Sequence, residues 1–287
     1  MKIVFFGSSK YSTIVENALY NKFGLSLVVT LPDRPTGRNK KLTANPVKIF
    51  ATKNNIPSIT AEKLDKLIVE QIKKVEPDFL VVADYGLILP REIFFLPKHV
   101  SLNVHHSLLP KYRGPSPATT AILNGEKISG VTVIKMNEKV DAGDILSQKE
   151  YELKPDETTD SLLTKLNTLG GEIIISVIEN YVKKNVKAVK QDESKASYTK
   201  MLEKKDGYID IDNSPSSEIL YQMIRAFYPW PGVWTRLRLG FGGQAKLKII
   251  RFLPERKIQV EGKNPMSYKD FLNGYSWGKS ILEKLNL

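Results

Sequence analysis

The sequence predicts an α/β protein: an N-terminal doubly wound, mostly parallel sheet followed by a small, reduced C-terminal β domain. Three observations carry that expectation. Strand-like and helix-like runs alternate over residues 2–183, a pattern that gives a parallel sheet with helices on both faces. Asp78–Ala83 (DFLVVA) is almost continuously apolar, as in a strand covered on both sides. After Asn185 the texture turns polar, then changes to short β-like runs separated by glycines.

Each element follows in order. Lys2–Phe6 is a β-branched and aromatic run ending at Gly7, a first strand. It is too short and lacks the cleavage site for a signal peptide. Tyr11–Tyr20 has helical spacing, and Leu25–Leu31 is a second buried strand closed by Pro32. Asn45–Asn54 and Lys66–Val75 read as helices, and Val100–His105 as a strand. Pro117–Leu123 opens a helix with proline in its first turn. Gly130–Met136 and Ile145–Leu153 are strands. Thr159–Lys183 is a long amphipathic helix with Leu162, Leu163, Leu166, Leu169, Ile173, Ile174 and Val177 on its apolar side. A catalytic domain is therefore expected over 1–186 and a linker over 187–206, where apolar anchors are few. The second domain, 207–287, has a helix at Ser216–Ala226 and strands at Val233–Leu239 and Ala245–Phe252.

Composition narrows the function. Cysteine is absent, which excludes a disulfide framework and thiolate chemistry. No apolar stretch approaches the ~20 residues of a membrane span, so a soluble, cytoplasmic protein without a membrane partner is expected. Lys and Arg number 43 against 31 Asp and Glu, a net charge of +12 that attracts polyanions, nucleic acid first.

The densest polar information lies in LNVHHSLLPKYRG, residues 102–114. Asn103 and His105 are two apart on a strand, so both project from one face at its carboxyl end. In an open α/β sheet ligands bind there. Imidazole moves protons near neutral pH, and an amide N–H stabilises a developing oxyanion. The pair suits acyl transfer without a covalent enzyme intermediate. Asp141 in Asp141-Ala142-Gly143-Asp144 can orient a histidine. Taken alone, Asn-x-His is more often a hydrogen-bonded strand end, and Asp141 with Gly143 more often a turn. The histidines are His99, His105 and His106. Their spacing offers no His-x-x-x-His metal motif, and no metal is expected. His99 reads as a solvated loop residue. His106 faces away from His105 and is left out of the catalytic set. Gly7-Ser8-Ser9 is not a dinucleotide-binding glycine motif.

LNVHHSLLPKYRG, with GVTVIKM and VDAGDIL downstream, resembles the methionyl-tRNA formyltransferase family, within the folate-dependent formyltransferase superfamily. The resemblance implies a Rossmann-like catalytic domain, an OB-like C-terminal domain, and Asn103, His105 and Asp141 as the catalytic trio. Val81–Pro90 resembles the folate-pocket strand and loop, which assigns Tyr85, Gly86, Leu87 and Ile88 to the folate. Ser107, Leu108, Leu109 and Pro110 resemble the folate-contacting turn. The stretch from Leu31 to Lys48 resembles the family's inserted loop. There Arg34, Arg38, Lys40, Lys41 and Lys48 would meet tRNA phosphates; by charge alone they would be a solvated loop. RAFYPWP, residues 225–231, and GKNPMS, residues 262–267, resemble C-terminal segments of the family. The chain departs from the usual pattern at Ser8-Ser9, Tyr11, Asp84 and His106. The stretch between Trp230 and Glu261 is short for a five-stranded barrel.

The implied reaction moves a formyl group from 10-formyltetrahydrofolate to the amino group of initiator methionyl-tRNA, for translation initiation. A protonated His105, favoured by Asp141, and Asn103 would stabilise the oxyanion. A monomer is expected. Rival readings are a formyltransferase acting on an amino sugar nucleotide or on glycinamide ribonucleotide, and a non-catalytic RNA-binding protein. The basic loop favours tRNA, the short C-terminal domain the sugar; the three polar residues disfavour the non-catalytic reading.

Overall fold

The computed structural model describes residues 1–36, 41–239 and 246–287. The chain forms two compact units. The first holds Met1–Gly114, Ile128–Glu152 and Leu163–Tyr198; the second holds Pro115–Lys127, Leu153–Leu162 and Thr199–Leu287.

The elements begin with β1 (Ile3–Phe6), α1 (Ser12–Phe23), β2 (Leu27–Thr30), a hairpin of β3 (Arg34–Thr36) and β4 (Lys41–Thr43), and α2 (Pro46–Lys53). They continue with β5 (Ser58–Thr60), α3 (Lys66–Lys73), β6 (Phe79–Ala83), α4 (Arg91–Phe94), β7 (Val100–His105) and α5 (Pro117–Leu123). Then come β8 (Ile128–Lys135), β9 (Ile145–Glu152) and α6 (Thr159–Val182). The C-terminal elements are α7 (Ser217–Ala226), β10 (Val233–Leu239), β11 (Lys246–Leu253), β12 (Lys257–Val260), β13 (Met266–Ser267), α8 (Tyr268–Gly274) and α9 (Gly278–Lys284).

In the first unit seven strands run in the order β5-β2-β1-β6-β7-β8-β9. The five from β5 to β7 are parallel, and β8 and β9 add an antiparallel edge. The sheet is doubly wound: the chain leaves β1 toward β2 and later returns to its other side at β6. That reversal is the switch point, where the carboxyl ends of β1 and β6 leave a crevice. One face packs Ile3, Phe5, Val81, Leu102 and Val104 under α1 and α6 residues such as Val15 and Ile174. The other packs Val4, Phe6, Leu80 and Val82 with Ile72 and Ile93.

Two expectations are corrected. The polar stretch 187–206 is not a free linker. Val189 and Ile145 exchange backbone hydrogen bonds of 2.8 and 2.9 Å, and Arg113 N donates to Ser197 O at 2.8 Å. Main-chain bonds and one buried arginine anchor residues 189–198, so the stretch lacks the apolar signal by which anchoring is read. The domain boundaries differ accordingly, with the first unit reaching Tyr198 and α5 belonging to the second. Second, α6 is long and apolar enough to cross a membrane by length and composition. Its residues Leu166, Ile174, Val177 and Ile178 are buried, as in a core helix.

In the second unit β10-β11-β12-β13 form an antiparallel sheet around Leu220, Ile224, Val233, Ile250, Phe252, Ile258 and Phe271. Among the described residues this is four strands, the last only two residues long, rather than the five of a complete OB barrel.

Candidate active site

Strand β7 sets the site. Val100, Leu102 and Val104 turn into the core beneath α1 and α6, so Asn103 and His105 emerge together on the opposite face. Asp141 comes from the turn between β8 and β9. Gly143 shapes that turn: a Cβ there would lie 1.7 Å from Lys135 O, so no other residue fits. Asp141 itself has φ 51°, an uncommon conformation for a residue with a side chain. Its Oδ1 accepts from Asn103 Nδ2 at 3.2 Å and lies 3.5 Å from His105 Nδ1. Its Oδ2 accepts from Gly114 N at 2.7 Å. His105 Nε2 lies 2.9 Å from the carbonyl oxygen of Tyr112, which makes Nε2 the N–H donor. Asn103 and His105 therefore converge on the Asp141 carboxylate.

Electrostatics corrects one expectation. Burial pushes the His105 imidazole below its ordinary value, against the opposing pull of Asp141 and the Tyr112 carbonyl. Asp141 by itself would favour a charged ring. Desolvation outweighs the carboxylate, so the neutral ring is favoured at rest.

Two loops flank this trio. After β6, Tyr85 packs edge-on to Phe6 at 5.3 Å. Its hydroxyl is buried without a hydrogen-bond partner among the described residues, and burial pushes its pKa up to about 12. Gly86 and Leu87 lead to Ile88, an aliphatic side chain 84% exposed. After β7, Ser107–Pro110 is braced from β8 and β9. Thr132 Oγ1 donates to Ser107 O at 2.6 Å, and Gln148 Nε2 donates to Leu109 O at 2.8 Å. Leu108 packs tightly over Gly130. A phenol kept as a donor, an aliphatic group held in solvent and a stiffened turn suit a flat, partly apolar ligand with polar edges.

The described ends of the basic loop, residues 31–36 and 41–48, follow β2 on the same rim. Asn45 Nδ2 ties its base to Leu31 O at 3.2 Å and Ser8 O at 3.3 Å. Arg34 is exposed on β3. Lys48 lies on α2 with Nζ 2.9 Å from Asp33 Oδ2, and holds the Asp33 carboxyl below its ordinary range. Arg38 and Lys40 lie outside the described residues, and Lys41 is described in its backbone alone.

Two features escaped the sequence reading. Gln191, inside the expected linker, donates from Nε2 to Asp141 O and Gly143 O. His106, the first residue beyond β7, pairs through Nδ1 with Asp84 Oδ1 at 3.3 Å. Asp84 Oδ2 accepts from Ser9 Oγ and Asn167 Nδ2, each at 3.2 Å. The departures at Ser9, Asp84 and His106 thus form one half-buried polar cluster, whose sequence signal is their joint deviation. His106→Gly is expected to lower stability by about 1–3 kcal/mol, because the buried imidazole and its contact with the half-buried Asp84 carboxylate are lost, while turnover changes little. Thermal unfolding beside a turnover assay checks this; a turnover loss as large as that of His105→Ala would put His106 in the catalytic set.

Residues 1–178 match the family described as formyl transferase, and residues 201–257 the formyl transferase C-terminal domain. The chain is 35% identical over 306 residues to a methionyl-tRNA formyltransferase of Caldicellulosiruptor saccharolyticus, covering 96% of this chain and 97% of that protein. Its fold is similar to the solved methionyl-tRNA formyltransferase from Clostridium thermocellum (TM-score 0.57, 19% identity, 93% of this chain and 98% of that one). It is also similar to HypX from Aquifex aeolicus, solved in complex with tetrahydrofolic acid (TM-score 0.61, 17% identity). That match covers 88% of this chain but only 37% of HypX.

Proposed function

The chain belongs to the formyl transferase family, and from that premise we propose that it transfers the formyl group of 10-formyltetrahydrofolate to the amino group of initiator methionyl-tRNA. We place it in the cytoplasm as a monomer. The observation that carries the chemistry is the convergence of Asn103, His105 and Gly114 N on the Asp141 carboxylate. The relatives carry the choice of acceptor.

The residues divide the work as follows. A folate carrying the formyl group supplies an activated one-carbon acyl unit. Tyr85 and the Ser107–Pro110 turn hold it beside the switch point. Asn103 spends one amide hydrogen on Asp141 and has a second to give the formyl oxygen, where negative charge grows as the amine adds. His105, neutral at rest, takes the proton the amine loses. Asp141 stabilises the ring while it is charged. The same proton passes to the folate nitrogen as its bond to the formyl carbon breaks, so the enzyme ends unchanged.

The test is a formylation assay with charged initiator tRNA beside free amino-sugar acceptors. Formylation of the sugar alone would move the chain to a sugar-modifying role. A second expectation concerns the basic loop. Replacing Arg38, Lys40 and Lys41 together with alanine should raise KM for tRNA and flatten its salt dependence, by ~0.7–0.9 in log–log slope per lost phosphate contact. Folate binding should hold. An unchanged salt slope would remove the loop from tRNA docking.

A further inference from the structure

We propose that Gln191 is a positioning residue for formyl transfer, acting through Asp141 and coupling the buried Arg113 to the catalytic turn. The inference rests on the role proposed above for Asp141.

The geometry leaves Gln191 one arrangement. Its Nε2 donates to Asp141 O at 2.8 Å and to Gly143 O at 2.7 Å. Its Oε1 accepts from Arg113 Nε at 3.0 Å and Nη2 at 2.8 Å. A primary amide has two N–H donors and one carbonyl, and here all are used. Turning the amide over would set oxygen against two carbonyls and N–H groups against a guanidinium. A glutamate would also face the two carbonyls with negative charge. Asparagine is one methylene too short to reach both sides.

Arg113 is as tightly fixed. It is 1% exposed, and Glu193 binds it in a two-point clamp, Nη1 to Oε2 at 2.9 Å and Nη2 to Oε1 at 2.8 Å. Two parallel bonds of this kind orient a guanidinium as well as hold it. Arg113 also precedes Gly114, whose N–H binds Asp141 Oδ2 at 2.7 Å. The catalytic turn is therefore gripped at two points, at its carboxylate by Gly114 and at its backbone by Gln191.

The turn needs such a grip. Asp141 holds φ 51°, a left-handed conformation that aspartate tolerates better than most residues but still at a cost, so its neighbours help to hold it. Fixing the carbonyls of residues 141 and 143 fixes the direction in which the carboxylate leaves the chain. That direction decides whether Oδ1 meets Asn103 and His105. Gln191 belongs to the stretch that joins the first unit by main-chain pairing at Val189 and Ser197. A loose linker could not supply this support.

The test uses the full chain and four variants: Gln191→Met, which keeps shape and removes the hydrogen bonds, Gln191→Asn, Asp141→Ala, and Gln191→Met with Asp141→Ala. Gln191→Met should lower kcat about 10- to 100-fold and leave both KM values within about twofold. In the Asp141→Ala background the same change should cost less than about twofold, because a residue acting through Asp141 has nothing left to position. His105 supplies a readout independent of activity. The groups facing it are Asp141, the Tyr112 carbonyl, its neighbour His106, and Asp84 at the end of β6. Asp141 favours the charged ring, so its displacement should move the NMR titration of His105 to lower pH. Equal losses of kcat in both backgrounds, or an unmoved His105 titration in a folded Gln191→Met protein, would overturn the proposal. Should Gln191→Met not fold, Gln191→Asn is read the same way, with a smaller expected loss. Failure of the wild-type chain to formylate charged tRNA would count against the proposed function alone, and the His105 titration would still decide the role of Gln191.

Discussion

Replacing either Asn103 or His105 with alanine is expected to lower turnover by roughly two to three orders of magnitude while the protein stays folded. Each lies in the carboxyl-terminal half of β7, on the face opposite the core residues Val100, Leu102 and Val104. Asn103→Ala removes the amide hydrogen offered to the formyl oxygen, so the loss falls on kcat with KM little changed. His105→Ala removes the proton acceptor. Its loss should diminish at high pH, where hydroxide can take that proton in place of the imidazole. Single-turnover rates with saturating charged tRNA, beside circular dichroism, measure both effects. Near-wild-type turnover in either variant would remove that residue from the mechanism.

The second large effect concerns stability and pH. Glu16 lies on α1 in the company of Val15 and Leu19, fully buried, with neither carboxyl oxygen hydrogen-bonded among the described residues. Burial pushes its pKa from 4.5 up to about 9. The sign follows from which state holds the proton. Between those values the folded chain keeps Glu16 protonated, while the unfolded chain releases the proton. The contribution to stability is therefore whole below pH 4.5 and is lost as pH rises toward about 9. The fall amounts to at most about 1.4 kcal/mol per pH unit. Glu16→Leu should abolish this slope and raise stability most at the alkaline end. Urea midpoints across this range for both proteins check it. Parallel curves would mean that Glu16 ionises as freely in the folded chain as in the unfolded one.

Much of the fold was legible because periodicity is local. A continuous apolar run marks a strand covered on both faces, and β6 lies in mid-sheet with every residue buried. The short β5 and the β3–β4 hairpin escaped because three-residue strands carry too little pattern. The i, i+2 rule places Asn103 and His105 on one face of β7, since alternation depends only on the chain being extended. Pairing at a distance has no such rule. Asp141 meets Asn103 from 38 residues away, and Gln191 reaches the Asp141 carbonyl from 50.

The sequence by itself determined the fold class, the family motifs, the positive charge and the face on which each β7 side chain emerges. The tertiary structure alone decided that a polar stretch braces the catalytic turn, that His106 has Asp84 as partner, and that Glu16 keeps its proton. It also decided that burial outweighs Asp141 at His105. The reason is the same throughout. Which face a residue takes is set by its near neighbours in the chain, whereas desolvation and hydrogen-bond partners are set by whatever the fold brings close.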